Sequence, residues 1–234
     1  MPASNSIEFW PNPGTEVRQL FVLLHGVGGT PDGLESLALA LRVAFPGAVV
    51  RIPEGFEAHD GSGTGRQWFS VRDITEANRP ERVAQALPAL VEYVQAAQYS
   101  LRLKSADTAL VGFSQGAIMA LEAVQAHHRL AGRVLAFSGR YATLPEAAPP
   151  YTTIHLLHGA DDAVMPVAHA QAAQGRLAEL HGDSTIDVAS RVGHELHPVL
   201  VQRAIHRLQT CVPLRSWAAA MAMDPAPPEG TSLH

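Results

Sequence analysis

Short apolar runs alternate along the chain with longer stretches in which apolar residues recur every three or four positions. The runs have the length and composition of buried strands. They lie at residues 20–24, 48–52, 109–111, 134–137, 153–157 and 185–188. The helical stretches begin after Thr30, at Pro80, after Ser114, at Pro166 and at Pro198. Because strands and helices alternate, we predict an α/β protein with a mostly parallel central sheet and helices on both faces.

Proline and glycine mark where these elements begin and end. Thr30 is predicted to cap a helix that has Pro31 at its first position. Pro88 lies inside the helix that begins at Pro80 and is expected to kink or divide it. Glycines spread among polar residues predict a loop over 54–67.

The chain has 234 residues, an ordinary length for one α/β domain, and no internal repeat or linker divides it. We therefore predict a single domain over residues 1–212. The segment 213–234 is rich in Ala, Met and Pro and is predicted to be a partly disordered C-terminal tail, with Trp217 as a candidate anchor at its start.

Composition narrows the classes of function. Apolar residues make up 47% of the chain and charged residues 17%, which is typical of a globular protein. The net charge of −5 and the lack of a Lys/Arg-rich run argue against nucleic acid as a partner. The single cysteine, Cys211, excludes an intrachain disulfide framework. With no signal-like N-terminus and no apolar run near the roughly 18 residues of a membrane span, we expect a cytoplasmic protein without stable membrane insertion.

One motif lies where a predicted strand meets a predicted helix. The run 109–111 passes through Gly112-Phe113-Ser114-Gln115-Gly116 into an Ala/Met/Leu-rich stretch. Gly-x-Ser-x-Gly in this setting is typical of a nucleophile elbow, a tight turn with a serine at its tip. Glycines are expected there because the strand and helix backbones approach each other closely. This setting favours Ser114 as a nucleophile over an incidental serine in a glycine-rich turn.

The chain also holds candidate partners for this serine. A serine hydroxyl needs a base, normally a histidine oriented by a carboxylate, and in this kind of fold the acid precedes the histidine in the chain. Asp161 and Asp162 both follow the fifth predicted strand, and position alone does not separate them. Of the 12 histidines, His194 follows the last predicted strand in a loop, with His197 as the alternative.

Backbone N–H groups are expected to stabilise the oxyanion that forms when a serine attacks a carbonyl group. One predicted donor is the N–H of Gln115, and the other lies in the loop His25-Gly26-Val27-Gly28-Gly29. A phosphate-binding role for this loop is disfavoured, since Pro31 stands where G-x-G-x-x-G has its third glycine and no Gly-Lys-Ser/Thr follows.

Zinc-dependent hydrolysis is the alternative that the histidines raise. The segment His194-Glu195-Leu196-His197 is similar to a zincin motif, but its histidines are three positions apart instead of four. Pro198 also interrupts the helix that would present them. We therefore expect neither a metal nor an organic cofactor.

Five motifs occur in a fixed order along the chain. They are His25-Gly26-Val27-Gly28, Gln67-Trp68-Phe69, Gly112-Phe113-Ser114-Gln115-Gly116, His158-Gly159-x-x-Asp162 and Gly193-His194. In this order, over about residues 19–208, the chain resembles the phospholipase/carboxylesterase family of α/β-hydrolases. That family includes acyl-protein thioesterases, lysophospholipase-like esterases and small bacterial carboxylesterases. Segments 66–71 and 138–141 are closer to the bacterial carboxylesterase branch.

The resemblance implies an α/β-hydrolase fold and residue roles. Ser114 is implied as the nucleophile and His194 as the base. The family's acid stands three residues after the glycine of His-Gly, which favours Asp162 as the acid. The implied oxyanion donors are the N–H groups of Val27 and Gln115.

The resemblance also places Trp68 and Phe69 beside the acyl pocket, against the alternative that Trp68 anchors a core under its loop. Two positions depart from the family pattern. Ala117 replaces a glycine often found after Ser-Gln-Gly, and Ala163 stands where many members have proline, which is expected to loosen the acid loop. Neither change removes a catalytic atom.

We therefore predict a serine carboxylesterase acting on small carboxylic esters, with thioesters as a further substrate class. A lysophospholipase or acyl-protein thioesterase is the alternative, although no basic groove or amphipathic membrane helix supports it. The alternative of another class is a catalytically silent α/β-hydrolase fold that binds a ligand or partner. Arg66 and Arg140 could meet an acidic substrate, but surface or loop roles are favoured. We expect a monomer or a homodimer.

Overall fold

A computed structural model describes residues 6–216, and a seven-stranded sheet forms its centre. In chain order the strands of the protein are β1 (Ile7–Phe9), β2 (Gln19–Leu24), β3 (Ala48–Ile52), β4 (Glu57–Ala58), β5 (Arg66–Gln67), β6 (Thr108–Phe113), β7 (Arg133–Phe137), β8 (Thr153–Gly159) and β9 (Ser184–Ala189). The central sheet has the order β1-β3-β2-β6-β7-β8-β9. β1 pairs antiparallel with β3, and the other pairs are parallel. The predicted mostly parallel sheet is confirmed.

The six strands predicted from apolar runs are all present, and five of them are longer than predicted by one to three residues. Parallel pairing continues into flanking polar positions such as Thr108 and Arg133, which an apolar run does not include. β1 was not predicted, because three residues are too few to show a period. Its Ile7 and Phe9 pack against one hydrophobic core, and Glu8 pairs with Arg51 of β3 at 3.1 Å.

Within residues 6–216, five α-helices cover the sheet. They are α1 (Glu35–Ala44), α2 (Arg79–Leu101), α3 (Gln115–Ala126), α4 (Ala168–Glu179) and α5 (Pro198–Thr210). A 3-10 turn, Pro31–Leu34, precedes α1. Thr30 stands at the N-cap of this turn in an extended conformation, but its side chain makes no capping hydrogen bond.

α2 runs through Pro88 without interruption. Of the two expected effects of this proline, a kink or a division of the helix, division is wrong. The side chain of Pro88 faces solvent, whereas Leu87, Leu90 and Val94 are buried in the same helix. The buried stripe holds the helix against the core on both sides of the proline, and this packing outweighs the one backbone hydrogen bond that proline removes.

Two hydrophobic cores lie on opposite faces of the sheet. In β2, Leu20 and Val22 belong to one core, and Phe21 and Leu23 belong to the other, as the alternation of a strand requires. The first core is completed by residues of α2, α3 and α4, and the second by residues of α1 and α5. Because both faces are covered, ligand-binding groups are expected at the strand ends rather than on a face.

The predicted loop 54–67 contains a small hairpin ladder. β4 and β5 pair antiparallel, with Glu57 opposite Gln67. Of the predicted tail, only 213–216 are described, and Trp217 with the residues after it lies outside the described residues. The division of the chain at residue 212 stays a prediction. Over 6–216, no helix has the length and apolar character needed to cross a membrane.

Candidate active site

Ser114 lies in the tight turn between β6 and α3. Its φ of 54° and ψ of −116° are rare for a residue with a Cβ atom and cost roughly 1–3 kcal/mol. A Cβ on Gly112 would collide with the backbone of Gly116, and one on Gly116 would collide with the carbonyl group of Leu24. The Ser114 N–H donates to the carbonyl oxygen of Phe137 at 2.9 Å. The turn is therefore fixed at the carboxyl edge of the sheet.

Two hydrogen bonds join side chains from three separate strand ends. Ser114 Oγ lies 2.9 Å from His194 Nε2, and Asp162 Oδ2 lies 2.8 Å from His194 Nδ1. Asp162 follows β8 and His194 follows β9. With Nδ1–H donated to the carboxylate, Nε2 is left to accept the proton of the serine hydroxyl. The structure thus brings together the three residues that the sequence singled out.

The imidazole of His194 is also held by an aromatic neighbour. The Phe113 ring lies with its centroid 4.9 Å from that of His194, at an interplanar angle of 40°. Phe113 precedes Ser114 at the end of β6. The elbow therefore supplies the serine hydroxyl group and also the Phe113 ring, which packs against the imidazole of His194.

Both carboxylate oxygens of Asp162 are bonded. Oδ1 accepts hydrogen bonds from the N–H groups of Met165 at 2.7 Å and Val164 at 3.0 Å, while Oδ2 faces His194. Burial is the largest influence on the Asp162 pKa and raises it, but the bonds from Met165 and His194 outweigh burial, and the pKa is lowered overall. Asp162 therefore remains an anion that can orient an imidazole. These bonds hold the loop that contains Ala163.

His158 supports the same loop from inside the protein. Its Nε2 lies 2.7 Å from the carbonyl oxygen of Met165 and 3.5 Å from Asp162 Oδ2, and the residue is 1% exposed. Burial lowers the pKa of His158, which leaves a neutral ring whose Nε2–H donates to Met165. Its Nδ1 has no partner among residues 6–216. His158 is thus a support for the acid loop and not a second base.

Loop 25–29 lies against the elbow. A Cβ on Gly26 would stand 3.3 Å from the Cβ of Ser114. Within the described part of the chain, neither the N–H of Val27 nor that of Gln115 donates a hydrogen bond. Two free N–H groups on segments that flank a serine hydroxyl are what an oxyanion hole needs.

His25 anchors this loop. Its Nε2 accepts the Gly55 N–H at 2.9 Å, so the proton lies on Nδ1, which is 2.7 Å from the carbonyl oxygen of Gly26. Burial lowers the pKa of His25, and the neutral ring satisfies both of these bonds. The backbone at the start of the loop is therefore fixed by a side chain from within it.

Trp68 and Phe69, which are predicted to lie beside the acyl pocket, are both buried. Trp68 has no exposed surface and Phe69 is 2% exposed. The Trp68 indole Nε1–H donates to the carbonyl oxygen of His25 at 2.8 Å, and its ring packs edge-on against Phe56 at a centroid distance of 5.2 Å. Both side chains belong to the hydrophobic core on one face of the sheet, and Trp68 also bonds the start of loop 25–29. Their place beside the acyl pocket stays a prediction.

The alternatives for acid and base lie outside the hydrogen-bonded group. Asp161 is exposed, and its N–H donates to the carbonyl oxygen of Val192 at 3.0 Å. His197 caps α5, where its Nδ1 accepts the Val199 N–H at 3.3 Å. Among residues 6–216, no group of three or more His, Cys, Asp or Glu side chains is arranged to hold a metal ion.

Arg66 and Arg140 both bond to acceptors within the protein. Arg66 Nε donates to the carbonyl oxygen of Gly55 at 2.9 Å. Arg140 donates to both carboxylate oxygens of Glu76, at 2.6 and 3.1 Å. These bonds tie loops together, which agrees with the loop roles favoured from the sequence.

The sequence motifs contain the residues that hold the site in place, but no such role was predicted for their side chains. His25 and His158 each precede a glycine at a strand end, which is the one sequence signal that could have marked them. The side chain of Gln115 gives no such signal. Its Oε1 accepts the Trp68 N–H at 2.9 Å and its Nε2 donates to the carbonyl oxygen of Phe69 at 2.7 Å, across 47 and 46 positions of sequence.

Known proteins share this sequence and architecture. Residues 5–212 match the family model described as Phospholipase/Carboxylesterase. The chain is 42% identical over 211 residues to Esterase YpfH of Escherichia coli (strain K12), which covers 90% of each protein. The solved structure of esterase PE8 has a TM-score of 0.81 and 26% identity, over 88% of this chain and 98% of that one. A Bacillus cereus carboxylesterase shares the fold, with a TM-score of 0.71 and 18% identity over 87% of this chain and 92% of that one.

The sheet topology and these relatives define the protein as an α/β-hydrolase that hydrolyses carboxylic esters. Within that class, the chain belongs to the phospholipase/carboxylesterase family. The resemblance inferred from five short motifs is confirmed, as is the prediction of an esterase.

Proposed function

We propose that the protein is a serine carboxylesterase that hydrolyses small carboxylic esters through an acyl-enzyme on Ser114. The observation that carries the proposal is the unbroken hydrogen-bonded path from Ser114 Oγ through both ring nitrogens of His194 to Asp162. Such a path lets a weak nucleophile lose its proton as it attacks.

In the first half of the reaction, Ser114 Oγ attacks the ester carbonyl carbon while His194 Nε2 takes the hydroxyl proton. The carbonyl oxygen becomes an oxyanion, which the N–H groups of Val27 and Gln115 stabilise. Asp162 stabilises the imidazolium through Nδ1–H. The C–O bond to the leaving group then breaks, and the alcohol departs with the proton from Nε2.

In the second half, His194 removes a proton from a water molecule, whose oxygen attacks the acyl carbon on Ser114. A second oxyanion forms in the same place. Its collapse breaks the bond to Ser114 Oγ, and Nε2 returns the proton to that oxygen. The products are a carboxylic acid and the restored enzyme, and no step requires a metal or an organic cofactor.

Thioesters, lysophospholipids and acylated proteins would pass through the same two steps with a different leaving group or acyl group. The measurement that ranks these substrates is kcat/KM over p-nitrophenyl esters of increasing acyl length, beside matched acyl thioesters. A lysophospholipase would favour long acyl chains, whereas the proposed esterase favours short ones.

The proposal is tested by Ser114→Ala. We expect kcat for p-nitrophenyl acetate to fall by about 10³-fold or more, because the nucleophile is removed while the Cβ and the backbone of the turn are kept. Ser100→Ala in α2 is the matched control, and it should leave kcat unchanged.

A fluorophosphonate probe adds an independent readout. Peptide mass spectrometry should find the phosphonyl group on Ser114 in the native protein and on no residue of Ser114→Ala. Full activity in Ser114→Ala, or labelling elsewhere, would refute the mechanism. A native protein with neither activity nor labelling would favour the silent binding protein.

A further inference from the structure

We infer that the side chain of Gln115 is a positioning residue that fixes the spacing of the two oxyanion-hole N–H groups. The inference rests on the proposed function, since it takes the N–H groups of Val27 and Gln115 as the donors. The amide of Gln115 would act through the backbone of another segment and would not touch the substrate.

The two N–H donors of the proposed oxyanion hole belong to separate segments of the chain. The Gln115 N–H is on the first residue of α3, whereas the Val27 N–H is in the loop after β2, 88 positions earlier in the chain. An oxyanion hole needs each donor at about 2.7–3.1 Å from one oxygen atom. Two segments so distant in sequence keep that spacing only if something rigid joins them.

The first part of such a connection is the Gln115 amide. Its Oε1 accepts from the Trp68 N–H at 2.9 Å and its Nε2 donates to the carbonyl oxygen of Phe69 at 2.7 Å. Gln115 is 3% exposed and both bonds are buried. The side chain therefore binds the backbone of 68–69 as a neighbouring strand would, and the start of α3 is tied to that segment.

The second part of the connection runs from Trp68 to loop 25–29. The indole Nε1–H donates to the carbonyl oxygen of His25 at 2.8 Å. The ring of His25 in turn bonds the carbonyl oxygen of Gly26 at 2.7 Å and the N–H of Gly55 at 2.9 Å. Gly26 is the residue before Val27, so the path ends at the peptide group that carries the second donor.

The far side of the loop is held by the same segment. Arg66 exchanges backbone hydrogen bonds with Gly28 and Gly29, at 2.8 and 2.9 Å. Residues 66–69 thus bond both ends of loop 25–29. The same four residues also bond the side chain of Gln115. This common partner sets the position of Val27 relative to α3.

The Gln115 amide is turned toward the backbone of 68–69 and away from solvent. Its oxygen and its nitrogen are both engaged with the backbone, and the residue is almost fully buried. An apolar side chain of the same length would fill the space but would leave the Trp68 N–H and the Phe69 carbonyl group without partners. We therefore expect segment 66–69, and the loop that it holds, to shift when the amide is lost.

The test compares Gln115→Met with a matched control, Gln98→Met. Methionine keeps the length of the side chain and the backbone N–H of residue 115. Gln98 also donates two side-chain bonds, to Thr108 and Leu130 at 2.8 Å each, but it lies near the opposite end of β6. For p-nitrophenyl acetate, Gln115→Met should lower kcat by about 10- to 100-fold with little change in KM, because a misplaced donor weakens only transition-state binding. Gln98→Met should lower the melting temperature but not kcat.

Gln115→Glu provides a rescue. Its carboxyl group, once protonated, can accept from Trp68 and donate to Phe69 as the amide does, whereas the carboxylate cannot donate. The ratio of its kcat/KM to that of the native protein should therefore rise as the pH falls. Trp68→Phe removes the bond to His25 and part of the packed ring but keeps both bonds of Gln115, so it should give a smaller loss of kcat.

A trifluoromethyl ketone inhibitor separates positioning from general damage. It forms an oxyanion on attack by serine, so its Ki should rise in Gln115→Met by about the factor by which kcat falls. The inference is overturned if Gln115→Met keeps native kcat, or if Gln98→Met loses as much kcat at an equal loss of melting temperature. If Ser114→Ala were fully active, the proposed function itself would fail, which is a different outcome from native kcat in Gln115→Met alone.

Discussion

Asp162 shows how single residues set the electrostatics of the candidate site. Burial disfavours its charge, yet two backbone N–H groups and one imidazole stabilise that charge, so the pKa is lowered. Its neighbour Asp161 is exposed, and within residues 6–216 its carboxylate makes no such set of bonds. Two carboxylates adjacent in sequence thus have different surroundings, and this difference separates their expected roles.

Exchanging each aspartate for asparagine tests this difference. Asp162→Asn should lower kcat by about 10³- to 10⁴-fold, because an amide facing Nδ1 favours the wrong tautomer of His194 and cannot stabilise the imidazolium. Asp161→Asn should keep kcat near the native value. Steady-state kinetics on p-nitrophenyl acetate measure both.

A lowered kcat in Asp162→Asn has this meaning only if the variant folds. Circular dichroism and thermal unfolding supply that control. If Asp161→Asn were the more damaged variant at equal stability, the assignment of the acid to Asp162 would be incorrect.

At the scale of elements, the proline inside α2 is expected to lower the stability of the protein. Pro88 lies in the interior of this helix with its side chain exposed. Pro88→Ala restores one backbone N–H donor and removes the clash of the proline ring with the preceding turn. We expect the free energy of unfolding to rise by about 1–3 kcal/mol, measured by urea denaturation.

Pro80→Ala in the same helix is the matched control. Pro80 lies in the first turn, where a backbone N–H has no intrahelical partner in any case. Its replacement should change stability by less than about 0.5 kcal/mol. Equal effects of the two substitutions would show that the interior position of Pro88 has no special cost.

The same elements show what the sequence could predict. Strands covered on both faces are continuous apolar runs, so β2, β3, β6, β7 and β8 were located from composition alone. β9 was located as well, although it is an edge strand whose residues are only partly buried. β1, β4 and β5 have three or two residues and leave no pattern. Division of α2 at Pro88 was wrongly allowed for, because a proline acts locally, whereas the buried stripe of α2 depends on tertiary packing.

The candidate site was predictable to a similar degree. Strand ends located Ser114 and His194, but the distinction of Asp162 from Asp161 needed family resemblance, since both follow β8. The supporting bonds of Gln115, Trp68 and His25 join positions more than 40 residues apart, except where His25 bonds within its own loop and to Gly55. No local pattern encodes such pairings.

At the scale of the whole molecule, buried histidines govern stability in mild acid. His155 of β8 is fully buried, bonds Thr185 Oγ1 through Nδ1 at 2.9 Å, and has no partner for Nε2 among the described residues. Burial lowers its pKa to about 4, and the nearby Arg133 and Arg207 act in the same direction, while Asp187 opposes them. The neutral ring is therefore the form that the folded state prefers.

The direction in which stability changes with pH follows from the lowered pKa of His155. Between the unfolded pKa of about 6.5 and the folded pKa of about 4, the unfolded chain binds more protons, so stability falls as the pH is lowered through this window. The difference corresponds to about 3 kcal/mol from His155. Burial also lowers the pKa of His25 and His158, which adds to the same trend.

His155→Asn isolates this contribution, because an amide can bond Thr185 but does not titrate. Urea denaturation at pH 7, 5.5 and 4 should show a shallower loss of stability in the variant than in the native protein. If the free energy of unfolding fell equally with pH in the two proteins, the assignment of this effect to His155 would be contradicted.

The strands β6, β7, β8 and β9 have the same order along the chain and across the sheet. β6 leads to Ser114, and β7 supplies the carbonyl group of Phe137 that accepts the Ser114 N–H. β8 leads to Asp162 and β9 leads to His194. A growing chain that has folded through β8 would thus possess a nucleophile and an acid but no base. In the proposed mechanism, hydrolytic competence is acquired in a single event, when the last strand docks, and a nascent polypeptide on the ribosome stays inert toward esters until then.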